Sequence, residues 1–149
     1  MSRHMCAKQV SVFLENKAGR LADVCSLLGQ ENINIRAFCI ADTSDFGILR
    51  IIVNNPVRAV EVLKANGHAV SETDVLVAQL EDRPGGLARV LEALRSSEIN
   101  IEYMYAFVTP REGQAFVVFR VLDEFMARTV ELLETAGVTL IEPEQVYSL

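Results

Sequence analysis

The sequence predicts an α+β protein built from two copies of one β-α-β-β-α-β unit, and three observations carry that expectation. First, Leu14-Glu15-Asn16-Lys17-Ala18-Gly19-Arg20-Leu21-Ala22 lies over Leu80-Glu81-Asp82-Arg83-Pro84-Gly85-Gly86-Leu87-Ala88 at an offset of 66. Ten of the 22 aligned positions from Leu14 to Ile35 are identical, against roughly one or two expected from background composition. Second, strand-period and helix-period stretches follow each other in the same order in both copies. Third, 149 residues suit either one domain or two of about 70, and the repeat decides for two.

In the first copy, Gln9 to Glu15 alternates with Val10, Val12 and Leu14 on one face, as a half-buried strand requires. Leu21, Val24, Cys25 and Leu28 fall at i, i+3, i+4 and i+7, one face of an amphipathic helix. Ile35 to Ala41 and Ile48 to Val53 read as a hairpin around Asp42-Thr43-Ser44-Asp45. A second helix runs from Pro56, a good first-turn residue, to Asn66, with Gly67 as its stop. A short strand around Ala69 to Ser71 closes the copy.

The second copy repeats the order. Leu76, Ala78 and Leu80 mark its first strand, and Leu87, Val90, Leu91 and Leu94 its first helix. Ile101 to Val108 and Ala115 to Leu122 form its hairpin around Pro110-Arg111-Glu112-Gly113. Asp123 to Ala136 is its second helix, stopped by Gly137, and Val138 to Ile141 its last strand. Beyond the hairpin the offset becomes 70, with Arg50 over Arg120 and Gly67 over Gly137, so this copy carries four extra residues in the loop that corresponds to Asp42–Ile48. Domain bounds are expected at 8–73 and 74–149, with 1–7 a leader and Ser71 to Asp74 the joint. With no Gly/Ser/Pro-rich linker between them, the copies are expected to pack closely. The order within each copy is ferredoxin-like, an antiparallel sheet with both helices on one face.

On the face opposite the helices, alternation places Phe13, Phe38, Ile40, Ile48, Ile52, Met104 and Val118, with Arg50 and Arg120. So many apolar residues on an open sheet face imply cover by a second copy, hence a homodimer through that face. Tyr103 and Tyr105 continue the i, i+2 series of Ile99 and Ile101 and are expected on the buried face.

Composition narrows the function. Fourteen basic and 20 acidic residues give a net charge of −6, which argues against a nucleic-acid backbone and an anionic membrane as partners. No apolar run approaches the ~18 residues of a membrane span, and the first residues have no apolar signal core, so a cytoplasmic protein is expected. Cys6, Cys25 and Cys39 are odd in number and far apart, expected as reduced and mostly buried thiols rather than a disulfide framework or zinc site. His68 reads as a loop residue. No phosphate loop, metal cluster or activated nucleophile is present in the sequence, so neither a cofactor nor an enzymatic activity is expected.

The segments Glu15 to Leu21 and Glu81 to Leu87, each followed by an amphipathic helix and then Ile33-Asn34-Ile35 or Ile99-Asn100-Ile101, resemble the ACT domain. The resemblance covers the chain from Gln9 as two copies, and the second carries the family's D-x-P-G-x-L pattern intact at Asp82 to Leu87. It implies amino-acid-binding regulatory domains, often effectors of biosynthetic enzymes, that pair side by side into one sheet. Ligands are then expected where the loop after the first strand meets the neighbouring domain. Two readings follow: a stand-alone sensor of a free amino acid, or a regulatory subunit that docks on an amino-acid biosynthetic enzyme with degenerate pockets.

The residues support the same loops. Gly19 to Leu21 and Gly85 to Leu87 offer backbone N–H groups at a helix start, suited to a ligand carboxylate. Glycine at 19, 85 and 86 removes a Cβ that would hold a ligand off the backbone. Asn16 and Asp82 either accept from the ligand ammonium or end a strand and cap a helix. Asn34 and Asn100 either contact ligand, as family members do near the start of strand two, or are left-handed turn residues. Ala18 replaces the proline present at Pro84, and Arg20 stands opposite Gly86. The first loop is therefore less rigid and partly obstructed, and the two pockets should differ in affinity.

Overall fold

The computed structural model describes residues 5–42, 45–108 and 112–148. It comprises two compact units, one of Lys8–Thr73 and one of Asp74–Tyr147 together with the chain start up to Ala7. The hairpin-tip residues 43–44 and 109–111, and most of the segment expected as a leader, lie outside the described residues. The rest of that segment is core: Met5 and Cys6 are buried in the second unit's apolar cluster.

The first unit runs β1 (Ala7–Glu15), α1 (Arg20–Gln30), β2 (Ile35–Asp42), β3 (Phe46–Val53), α2 (Pro56–Ala65) and the opening of β4 (Ala69–Glu81). Its strand order is β2-β3-β1, with β4 next. Val10, Val12 and Leu14 of β1 face Val24 and Leu28 of α1 and Val62 and Leu63 of α2 in one core cluster. Asn55 caps α2 by accepting from the Arg58 N–H at 3.1 Å, with Pro56 in the first turn, as the sequence indicates. After Gly67 the His68 N–H returns to the Leu63 carbonyl at 3.0 Å, a Schellman closure. The same bond recurs in the second unit, from the Val138 N–H to the Leu133 carbonyl at 2.9 Å.

The second unit continues with the rest of β4, then α3 (Gly86–Glu92), β5 (Tyr103–Val108), β6 (Gln114–Arg120), α4 (Met126–Thr135), β7 (Thr139–Leu140) and α5 (Pro143–Tyr147). Its strand order is β5-β6-β4, with β7 pairing β4 through Ala78↔Leu140 and Gln79↔Thr139. Three details differ from the sequence expectation. β4 is one 13-residue strand that takes in both the strand expected around Ala69 to Ser71 and the one marked by Leu76, Ala78 and Leu80. α3 has only seven residues, since the Ser97 hydroxyl donates to the Leu94 carbonyl and accepts from the Ile99 N–H, offering the backbone an alternative to helix. Asp123–Phe125 forms a 3-10 turn ahead of α4, and α5, with Val146 fully buried, adds an element for which the sequence reading had no place.

Strand two departs most. A register shift between Ile35 and Ala37 inserts a bulge in β2, after which Phe38 pairs with Ile51 and Ile40 with Leu49. Directly paired residues share a face, so Phe38 and Ile40 stand on the helix side, at the uncovered edge strand, rather than on the opposite face. An extra residue flips every side chain beyond it. The second unit repeats the change: Ile101 and Met104, three residues apart, both pack on the core. Tyr103 and Tyr105 instead pair with Arg120 and Val118 on the face away from that core. Ile52 and Val118 are fully buried, so of the expected open-face set only Phe13 is exposed there, joined by Phe46. Cysteine burial also differs, with Cys6 buried, Cys39 half-buried and Cys25 exposed.

Candidate functional site

Each unit builds the same turn after its first strand. In the first, the Lys17 N–H donates to the Glu15 carbonyl at 2.8 Å, the Arg20 N–H to the Lys17 carbonyl at 3.3 Å, and the Asp23 N–H to the Gly19 carbonyl at 2.9 Å. In the second, the Arg83, Gly86 and Arg89 N–H groups repeat these bonds to Glu81, Arg83 and Gly85 at 2.9, 3.0 and 3.0 Å. Gly19 and Gly85 cap the helices in the left-handed conformation, both at φ 86°. The cap positions are thus Gly19 and Gly85, three residues after Asn16 and Asp82. The N–H groups of Asn16 and Asp82 tie each loop to the neighbouring hairpin, donating to the Asp45 carbonyl at 2.9 Å and the Gly113 carbonyl at 3.0 Å.

The glycines have different reasons to be glycine. A Cβ on Gly19 or Gly85 would meet nothing within 4 Å, so what these positions require is the positive φ. At Gly86 a Cβ would collide with the protein's own Glu81 carbonyl oxygen. Arg20, its counterpart, carries that Cβ, so the first helix cannot start as close to its strand.

A cleft of about 480 Å³ opens in the second unit at this loop. Pro84, Gly85 and Gly86 line it, and Asp82, Leu87 and Asn100 do not. Leu80 of β4 also lines it, and residues outside the expected site complete the wall: Gln79 from β4, Arg83 from the loop, Arg89 and Val90 from α3, Glu112 to Gln114 at the hairpin, and Gly137 to Thr139 at the α4–β7 turn. Their signal was tertiary, since 33 or more residues separate the hairpin from Gln79 in sequence. Charge of both signs is present. Arg83 pairs with Glu81, while the Arg89 guanidinium lies beside the α4–β7 turn, its Nη2 4.0 Å from where a Cβ on Gly137 would sit.

The first-unit residues are all exposed. Asn16, Ala18, Gly19 and Arg20 occupy the loop and the helix start, with Arg20 3.9 Å from Asp23. Lys17 pairs with Glu15 at 2.9 Å and, by hydrogen bonding to it, holds the Glu15 carboxyl below its usual value, with Arg20 adding to the effect. Leu21 and Leu87, at matching positions, are 40% and 41% exposed, so the first residue of each helix stripe projects from its unit instead of entering its core. Asn34 is exposed, its main chain clasped by Asn54 through an N–H bond to the Asn54 Oδ1 at 2.9 Å and a return bond at 3.1 Å. The left-handed residue after α1 is Asn32, at φ 58°, and neither Asn34 nor Asn100 adopts that conformation. Among the described residues no group of acidic, His and Cys side chains is placed to hold a metal, and no helix is long and apolar enough to cross a membrane.

Comparison with known proteins agrees with the repeat. The family model described as an ACT domain pair matches residues 5–148. A crystal structure of a protein from Bacteroides thetaiotaomicron is similar over 97% of this chain and 98% of its own, at 45% identity and a TM-score of 0.90. The ligand-free regulatory subunit of aspartate kinase from Thermus thermophilus shares the fold at 16% identity and a TM-score of 0.63, over 89% of this chain and 93% of its own. The aspartate kinase regulatory subunit from Thermus flavus does so at 16% identity and a TM-score of 0.58, over 87% and 92%. No curated protein sequence matches the chain.

Proposed function

Because the chain belongs to the ACT family as an ACT domain pair, we propose that it is a regulatory protein that senses a free amino acid in the cleft of its second unit. One observation carries this reading: Pro84, Gly85 and Gly86 of the D-x-P-G-x-L loop line a cleft that also presents guanidinium and carboxylate side chains. A free amino acid carries both charges, and a concave site with a few placed polar groups on apolar walls is the usual form of a small-molecule site. Leu80, Pro84, Val90 and Val138 supply the apolar part of a lining that is mostly polar. Binding would bias the protein between conformations of different assembly or partner affinity, since a ligand shifts an equilibrium only by its differential affinity for the two states.

A second reading rests on the first unit, where Phe13, Phe38, Ile40 and Phe46 are exposed. Phe38 and Ile40 share one face of the edge strand β2, while Phe13 and Phe46 share the other face of the sheet. A contiguous exposed apolar patch marks a contact site, here for a second copy or for an enzyme under regulation. A homodimer of 33 kDa, twice the 16.5 kDa chain, is the expected species; sedimentation showing only monomer at micromolar concentration would reject self-association.

Titration calorimetry against the twenty amino acids tests the sensing reading. Heat from one or a few related amino acids supports it. Silence from all twenty at millimolar concentration, with the chain folded, leaves protein contact as the function.

A further inference from the structure

We infer that the turn after α3 is a two-state element, held overwound by the Ser97 hydroxyl, and that its other state is the α-helical ending that α1 shows. Its role, to carry the occupancy of the cleft to the edge strand β5, rests on the ligand reading above. The two states themselves do not.

The repeat sets both endings in one chain. At the offset of 66, Leu27 to Gln30 of α1 lie over Ala93 to Ser96. The first four are α-helical, and a complete Schellman closure follows them: the Asn32 N–H donates to the Gly29 carbonyl at 3.1 Å and the Ile33 N–H to the Leu28 carbonyl at 2.9 Å. After α3 the bonds are of the 3-10 kind instead. The N–H groups of Ala93, Leu94, Arg95 and Ser97 donate to the carbonyls three residues back, at 3.0–3.3 Å.

Helix propensity would give the reverse. Ala93-Leu94-Arg95 is the better helix-forming sequence, and its counterpart contains Gly29. The difference lies at the ends. Asn32 takes the left-handed conformation, at φ 58°, which asparagine tolerates, and its counterpart Glu98 does not take it. The Ile99 N–H, counterpart of the Ile33 N–H, is not closed onto the Leu94 carbonyl directly. Ser97 spans the gap: its hydroxyl accepts from the Ile99 N–H at 3.2 Å and donates to the Leu94 carbonyl at 2.7 Å. One hydroxyl stands in for the bond that closes α1.

The position gives this element a use. Val90 lines the cleft, and its carbonyl accepts the first overwound bond, from the Ala93 N–H at 3.3 Å. On the far side the chain enters β5 at Tyr103, two residues later in the repeat than β2 at Ile35. A 3-10 turn rises about 2.0 Å per residue against about 1.5 Å in an α-helix, so rewinding four residues draws this connection in by about 2 Å. A ligand with different affinity for the two windings shifts the balance between them.

Backbone NMR of the intact chain tests the two states. Ser97→Ala removes the bridge and should speed exchange of the Ile99 amide by about tenfold or more, while Ser97→Thr, which keeps a hydroxyl, should leave it unchanged. Ser97→Glu combined with Glu98→Asn gives the second unit the ending of the first. It should bring the Cα shifts of residues 93–96 to the helical values of 27–30, with a thermal melt confirming that the chain is folded. Unchanged shifts in that folded variant, or an Ile99 amide indifferent to Ser97→Ala, overturn the two states. The amino acid that gives the largest heat in the twenty-member titration tests the relay. Its affinity for the double variant should differ from the wild-type value by about threefold or more, the sign naming the winding it selects. Equal affinity overturns the relay while the sensing reading stands. A wild-type chain that binds none of the twenty overturns both of these, and the two states are then judged by the shifts alone.

Discussion

The carbonyl oxygen of Glu81 occupies the space into which a Cβ on Gly86 would project. This close approach joins the end of β4 to the start of α3 and shapes the wall of the cleft. Gly86→Ala should therefore destabilise the second unit by about 1–3 kcal/mol, the usual cost of forcing an extra methyl into a packed site. Gly29→Ala provides the opposite sign. It lies within α1 with nothing within 4 Å of its Cβ position, and should stabilise by about 0.5–1 kcal/mol. Urea denaturation of both variants measures the contrast, and a neutral Gly86→Ala would show that helix and strand do not approach so closely.

Gly85→Ala should cost about 1–2 kcal/mol for a different reason, the left-handed backbone at φ 86° with no steric neighbour. Gly85→Asn, which tolerates that conformation, should recover part of the loss in the same denaturation experiment. Equal losses for alanine and asparagine would show that conformation is not what the position requires.

These residues show what was legible in the sequence. The repeat located both turns, both glycine caps and the helix-facing residues Val10, Val12, Leu76 and Ala78, because local periodicity and turn chemistry govern them. The faces of strand two were not legible. A single bulge after Ile35 reverses the alternation, and no residue type there announces it. The cleft was half legible. Pro84, Gly85 and Gly86 sit in the motif itself, whereas Gln114 and Thr139 reach it only through the pairing of β4 with β6 and β7.

The bulge predicts unequal effects for two residues that share a face. Phe38 is 68% exposed, so Phe38→Ser should change stability by no more than about 0.5 kcal/mol. Leu49→Ala, at the fully enclosed neighbouring strand, should cost about 2–5 kcal/mol. If thermal melts show the Phe38 variant losing as much as the Leu49 variant, β2 is covered in solution, as a dimer through that edge would require.

The pH response should be weak and acidic. Glu15 and Glu92 are held below the usual carboxylate value of 4.5 by hydrogen bonds from Lys17 and Arg95 respectively, each reinforced by the partner's charge. A carboxyl lowered in the folded state stabilises the protein above the ordinary carboxylate range, and that contribution disappears as pH falls through the lowered folded value. Both groups are exposed, so the contribution is small and screened by salt. NMR titration of the side-chain carboxyl carbons should give midpoints below 4.5 that rise toward it in about 1 M salt. Midpoints at or above 4.5 in dilute buffer would mean that the two ion pairs do not form in solution.

The central claim is the position of the ligand. A crystal grown with the amino acid that binds most tightly in calorimetry tests it directly. The expected result is density for that amino acid against Pro84, Gly85 and Gly86. Density for the ligand at a position that touches none of the cleft residues would contradict it.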